Sequence, residues 1–148
     1  MPIDMDNMLP GFSGQLISVR TAEILSNAGG GYYTMTHALL RDADILDVGI
    51  VVVGVGDGTD YTASFRSTGS ATQIYVAATT ISGDEAIGTI FRVADGTMAW
   101  DSASDTEDER RLSRGDALEF GLGGTGSAGG KFVPFVLMRG AEPLDPIA

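Results

Sequence analysis

Hydrophobic and polar residues alternate in short runs along this chain, and glycine-rich turns separate the runs. Tyr61–Ser67 sets Tyr61, Ala63 and Phe65 against Thr62, Ser64 and Arg66, the period of two that a half-buried strand shows. Tyr32–Leu40 predicts a strand on the same grounds, with Tyr33, Met35, His37 and Leu39 on one face. Thr72–Ile81 predicts a third, placing Ile74, Val76 and Ala78 opposite Tyr75, Ala77, Thr79 and Ile81. Leu46–Val55 breaks the alternation. Ile50, Val51, Val52 and Val53 are consecutive β-branched residues, stiff at χ1 and suited to a pleated strand. A strand apolar on both sides is buried on both faces, or covered on one of them by another subunit. Leu46–Val55 is therefore expected at the centre, forming an antiparallel meander with Tyr61–Ser67 and Thr72–Ile81.

The remaining runs are shorter. Gln15–Leu25 starts as a strand, and Ala86–Val93 predicts another. Leu118, Phe120 and Leu122 face inward from a strand that follows the Arg114-Gly115-Asp116 turn. Lys131–Arg139 closes the set, with Phe132, Val136 and Met138 on one side and Val133, Phe135 and Leu137 on the other. Pro134 has no amide hydrogen, which places this strand at a sheet edge or a bulge. Asp101–Asp108 reads as a solvated loop. About eight strands with glycine-rich turns and no long helical period predict an all-β protein, an antiparallel β-sandwich of jelly-roll type. It is expected to span residues 15–140, between an N-terminal arm at 1–14 and a C-terminal tail at 141–148.

At 148 residues the chain suits one domain, with no cysteine for disulfides or thiolate metal sites. Its apolar runs are far shorter than a membrane helix, and the acidic Met1–Asp6 lacks the basic start of a secretory signal. Nine basic residues against twenty acidic ones give a net charge of −11. That field repels nucleic acid and anionic lipid, and the short basic run Arg110–Arg114 follows directly on the acids of 101–109.

No catalytic residue, cofactor site or metal site is assigned. His37 is the single histidine, too few for an imidazole metal site, and no strand-turn-helix elbow surrounds a serine. Gly54–Gly58 and Gly121–Gly126 lead towards strands and lack a phosphate-binding lysine, so they read as turns. The carboxylates at Asp57 and Asp60 and at 101–109 lack calcium-loop spacing and read as a solvated face, which leaves a structural Ca²⁺ open. No pair of carboxylates is singled out for glycosidase chemistry.

Tyr32–Leu40, the valine-rich strand, the Leu112–Leu118 turn-to-strand step and the closing Phe132–Met138 strand resemble small β-sandwich decoration (cement) proteins of tailed-bacteriophage heads. The likeness covers Gln15–Gly140 in pattern, and that group has no diagnostic motif from which a functional residue carries over. It implies a structural protein and not an enzyme: a homotrimer on the outer surface of a virion, bridging major capsid proteins. Strong acidity suits that surface better than the DNA-facing one. Expected capsid or subunit contacts are Ile3, Met5, Met8, Leu9 and Phe12 of the arm, with Phe132 and Phe135 of the last strand. Other readings are a head-fibre or tail-associated module, and a carbohydrate-binding sandwich with a platform from Trp100, Tyr32, Tyr33, Tyr61 and Tyr75.

Overall fold

The computed structural model describes residues 16–69, 72–124 and 129–140. Ten strands form among them: β1 (Leu16–Arg20), β2 (Ile24–Leu25), β3 (Gly31–Thr34), β4 (Ala43–Gly54), β5 (Gly58–Thr68), β6 (Ile74–Gly83), β7 (Ile90–Arg92), β8 (Arg111–Leu112), β9 (Ala117–Gly123) and β10 (Lys131–Gly140). The expected arm and tail lie outside the described residues. A larger sheet runs β1-β10-β4-β7, with β2 added on β10 and β8 on β4; a smaller one runs β3-β9-β5-β6. All pairings are antiparallel. This is the two-sheet sandwich of jelly-roll order that the sequence pattern predicts.

Two apolar layers meet between the sheets. Val48 and Ile50 of β4 and Phe132, Val136 and Met138 of β10 face Tyr61, Ala63 and Phe65 of β5 and Leu118, Phe120 and Leu122 of β9. Phe120 sits at the middle, its ring centroid 5.4 Å from Phe65 and 5.3 Å from Phe132. Tyr61 stacks on Phe132 at 5.1 Å. Burial, with the charge of Glu85 behind it, pushes the Tyr61 phenol from 10.0 to about 12. Burial also raises Tyr75. Tyrosine in the unfolded chain loses its proton first, so the fold loses stability as pH rises above 10. The decline from Tyr61 alone is expected to be about 1–2 kcal/mol by pH 12, since solvent screens part of the shift. Denaturant titrations at pH 8, 10 and 11.5 check this, and Tyr61→Phe should remove its share while Tyr75 keeps the rest.

The structure corrects the sequence reading at five places, each by a non-local contact. β4 and β5 do not pair, because β4 lies between β10 and β7; the meander is two sheets joined by Val55–Asp57. The strand expected over Tyr32–Leu40 ends at Thr34. The Thr36 hydroxyl accepts the Leu118 amide at 3.0 Å, taking the place of a ladder carbonyl, and the chain turns away. His37 consequently sits exposed in a connector, not on a strand face. Pro134 lies in the interior of the larger sheet, not at its edge. Thr21 donates its amide to the Pro134 carbonyl at 3.2 Å, so the proline nitrogen faces the same side. There Thr21–Glu23 separate β1 from β2, and no donor is missed.

β6 carries a bulge: Ala63 pairs Thr79 but Phe65 pairs Val76, so one extra residue switches the facing side. Val76 and Ile81 then both point inward. Finally, 101–110 is folded into two short 3-10 turns, Ser102–Ser104 and Glu107–Arg110. Asp101 caps the first by accepting the Ala103 amide at 3.0 Å, and Thr106 and Glu109 form a capping box on the second. Ser104, fully buried, donates its hydroxyl to the Ile74 carbonyl at 2.7 Å and ties the segment to β6. No helix among the described residues is long and apolar enough to cross a membrane.

Candidate interaction surface

The outer faces of the two sheets differ in chemistry. On the smaller sheet, Thr62, Ser64 and Thr68 of β5, Thr80 of β6 and Gly121 and Gly123 of β9 give a mostly polar surface, with Tyr32 of β3 and Ile74 of β6 exposed on its edge strands. Its charges are satisfied across strands: Arg66 Nε donates to Glu119 Oε1 at 3.0 Å while the Arg66 guanidinium lies 3.2 Å above the Tyr32 ring. Such a face is at home in water.

The larger sheet shows the opposite. Alternation along β10 turns Val133, Phe135 and Leu137 outward, and the pairing register sets Val51 beside Val133 and Ile90 beside Val51. Val53 and the exposed Leu16 extend the apolar area. An apolar patch across four neighbouring strands is the kind of surface that binds another protein.

An ion pair between a buried carboxylate and a partly exposed arginine lies within this patch. Asp47 is almost wholly buried, Arg92 Nε donates to its Oδ2 at 2.6 Å, and the Ala94 amide donates to its Oδ1 at 3.0 Å. A carboxylate in that position is tolerated because both oxygens are bonded and the cation is adjacent. Arg92 also lies 5.5 Å from the Phe135 ring centroid. The ring occupies the space over Gly49, where a Cβ would fall 2.6 Å from Phe135 Cζ. Gly49 thus lets the aromatic lie flat on the sheet.

Five basic residues surround the patch: Arg20, Arg92, Arg111, Lys131 and Arg139. Lys131 pairs with Glu23 at 3.8 Å and Arg111 with Asp44 at 3.0 Å. Arg92 holds Asp47, so three of the five cations face carboxylates within the described residues.

The expected contact residues separate here. Phe135 is half-buried on the outer patch. Phe132 points the other way, is fully buried and stacks on Tyr61, so it has no surface to give a partner. Ile3, Met5, Met8, Leu9 and Phe12 lie outside the described residues. The aromatic platform of the carbohydrate reading is not assembled: Tyr61 and Tyr75 are core, Tyr33 packs against it, and Trp100 is half-buried with Arg110 at 4.7 Å. Asp116 of the Arg-Gly-Asp tripeptide is buried, and Gly115 has a positive φ of 89°, the turn before β9. Among the described residues no three metal-ligating side chains converge. An apolar groove of about 480 Å³ opens between β1, the end of β10 and the 35–43 connector, lined by Ile17, Val19, Met35, Leu39 and Met138.

The register makes Asp47, Gly49 and Arg92 parts of one surface, which sequence reasoning did not find. Their signal was available in part: Asp47 and Gly49 interrupt an otherwise apolar run.

No protein-family model matches the sequence, and no curated protein matches it. Solved structures do. A chain of the capsid of Ralstonia phage GP4 is 17% identical with a TM-score of 0.56, and the match covers 91% of this chain and 90% of that one. A chain of the acidic stable capsid of Helicobacter pylori bacteriophage KHP30 is 14% identical, TM-score 0.46, covering 84% of this chain and 86% of that one. A chain of the T13 particle of infectious bursal disease virus (IBDV) is 9% identical, TM-score 0.48, covering 88% of this chain and 32% of that one. The Ralstonia phage chain shares the fold over nearly its full length.

Proposed function

We propose that this chain is a structural subunit of a virion, carried on the outer surface of a tailed-phage capsid. There it decorates and stabilises the shell as a homotrimer that bridges neighbouring major capsid proteins. The observation that carries this reading is the jelly-roll shared end to end with a phage capsid chain of matching extent, in a protein whose larger sheet presents an apolar outer face. A net charge of −11 favours the outside of a capsid, because packaged phosphate repels it from the inside. In this reading the protein binds surfaces and catalyses nothing.

The N-terminal segment supplies one contact. Met1–Gly14 carries five large apolar residues, Ile3, Met5, Met8, Leu9 and Phe12, without the periodicity of an element of its own. Burying two or three of them contributes about 1.5–3 kcal/mol each before ordering costs. Repetition over an oligomer multiplies so modest a contact through effective concentration. Deletion of residues 2–14 should leave the unfolding midpoint of the body unchanged and weaken co-sedimentation with undecorated heads at least tenfold. Equal attachment of the truncated and full chains disproves the arm contact. Failure of the full chain to attach disproves the assignment.

A further inference from the structure

The sandwich is open on the side where β1 ends the larger sheet and β3 ends the smaller. The apolar groove of about 480 Å³ lies on that side. One wall is Ile17 and Val19 of β1 with Met138 of β10, and the other is Met35 and Leu39 of the connector. All five side chains belong to the core or pack against it. The connector wall is held in place: Met35 and Leu39 donate their amides to the Leu118 and Asp116 carbonyls at 2.8 and 2.9 Å, and Gly115 donates to the Leu39 carbonyl at 2.7 Å. The groove is therefore preformed. Left open, it keeps the margin of the core in contact with water, at a cost that grows with its apolar area.

Gly140, the last residue of β10, also lines this groove, so the chain beyond it starts inside. The residues that follow are Ala141-Glu142-Pro143-Leu144-Asp145-Pro146-Ile147-Ala148. Their spacing suits a groove and not a sheet. Prolines three apart favour polyproline II, with three residues per turn, and neither proline can donate to a ladder. On that period Ala141, Leu144 and Ile147 share one side, Pro143 and Pro146 a second, and Glu142 and Asp145 the third. Two sides of the segment are apolar, and both carboxylates fall on the side left for solvent.

We propose that the groove is the docking site of residues 141–148 of the same chain, with Leu144 and Ile147 seated against Val19, Met35 and Met138. At about 3.1 Å per residue these two side chains come roughly 12 and 22 Å after Gly140, so one copy reaches its own groove without a linker. The prolines restrict the undocked segment and so lower the cost of ordering it. Charge does not oppose the contact. Asp42 is the one acid among the described lining residues, and it accepts the Arg114 amide at 2.8 Å. The residues before β1 fit less well. They join the body at Leu16, which is 60% exposed and alternates away from Ile17, and their apolar residues keep no constant period. Docked, residues 141–148 complete the core on its open side and leave the outer face of the larger sheet to a partner. The contact belongs to the chain alone and does not rest on the capsid reading.

The test is nuclear magnetic resonance of the full chain with labelled methyl groups of methionine, leucine and isoleucine. Met35 and Met138 report on the groove, and Met98, buried but absent from its lining, is the control. Nuclear Overhauser contacts are expected from Leu144 or Ile147 to Met35 or Met138. The double substitution Leu144→Glu with Ile147→Glu should abolish them and shift the Met35 and Met138 signals while Met98 stays in place. Should that variant not fold, the contacts in the unaltered chain decide. Their absence overturns the proposal, and so does a folded double variant whose Met35 and Met138 signals do not move. Contacts seen only between differently labelled chains in a mixture overturn it too, because the segment then crosses to a second copy. If deletion of residues 2–14 moves Met35 and Met138 and the double substitution does not, the groove belongs to the N-terminal segment and the proposal is wrong.

Discussion

Phe120→Ala is expected to destabilise the protein by about 3–5 kcal/mol, the range for emptying an aromatic site in a packed core. Phe120 is fully buried and touches both sheets, with Phe65 beside it on its own sheet and Phe132 across the interface. Its removal takes away the transfer free energy of the ring and leaves a cavity that β-sheet neighbours cannot collapse to fill. It also breaks two aromatic contacts and loosens the Phe132–Tyr61 stack behind them. A domain of this size has about 5–15 kcal/mol in total, so a large share of the stability goes. Urea unfolding followed by tryptophan fluorescence measures it through Trp100. A loss below 1 kcal/mol would show that the two sheets do not meet through Phe120.

Gly49→Ala is expected to cost about 1–3 kcal/mol, the usual penalty of overpacking a tight site, although it adds a single methyl group. That carbon would lie 2.3 Å from the Phe91 carbonyl oxygen and 2.6 Å from Phe135 Cζ. The first is backbone and cannot rotate aside, so β7 must shift away from β4. With it moves Arg92, which holds the buried carboxylate of Asp47. The second neighbour, the Phe135 ring, must leave the sheet surface. Gly49→Ala should therefore lower the unfolding midpoint and also reduce self-association, whereas Phe120→Ala acts on stability first. A Gly49→Ala protein as stable as wild type contradicts the register that places Gly49 between Phe91 and Phe135.

These two residues show what the sequence discloses and what it withholds. The alternation of β5 and the doubly apolar run of β4 are local signals, and both elements form where they are expected. The inward set of β9 was equally legible, since Leu118, Phe120 and Leu122 share one parity. Sheet membership was not. A strand apolar on both sides does not declare which side is core, so Phe132 and Phe135 looked alike; the register with β4 makes one interior and the other surface. Pro134 was misplaced because its harmlessness depends on a gap between two other strands. Thr36 ended a strand through its hydroxyl, a choice that depends on where Leu118 lies. The candidate surface shares this dependence. Its cations come from β1, β7, β8 and β10, and no stretch of sequence collects them.

The central claim is that this chain is an outer-surface capsid subunit. Electron cryomicroscopy of heads lacking it, reconstructed before and after addition of the purified protein, tests that claim most directly. The account predicts new density on the outside of the shell, in threefold clusters of β-sandwiches that each contact more than one major capsid protein. Heads without added density, or density on the inner surface, contradict it.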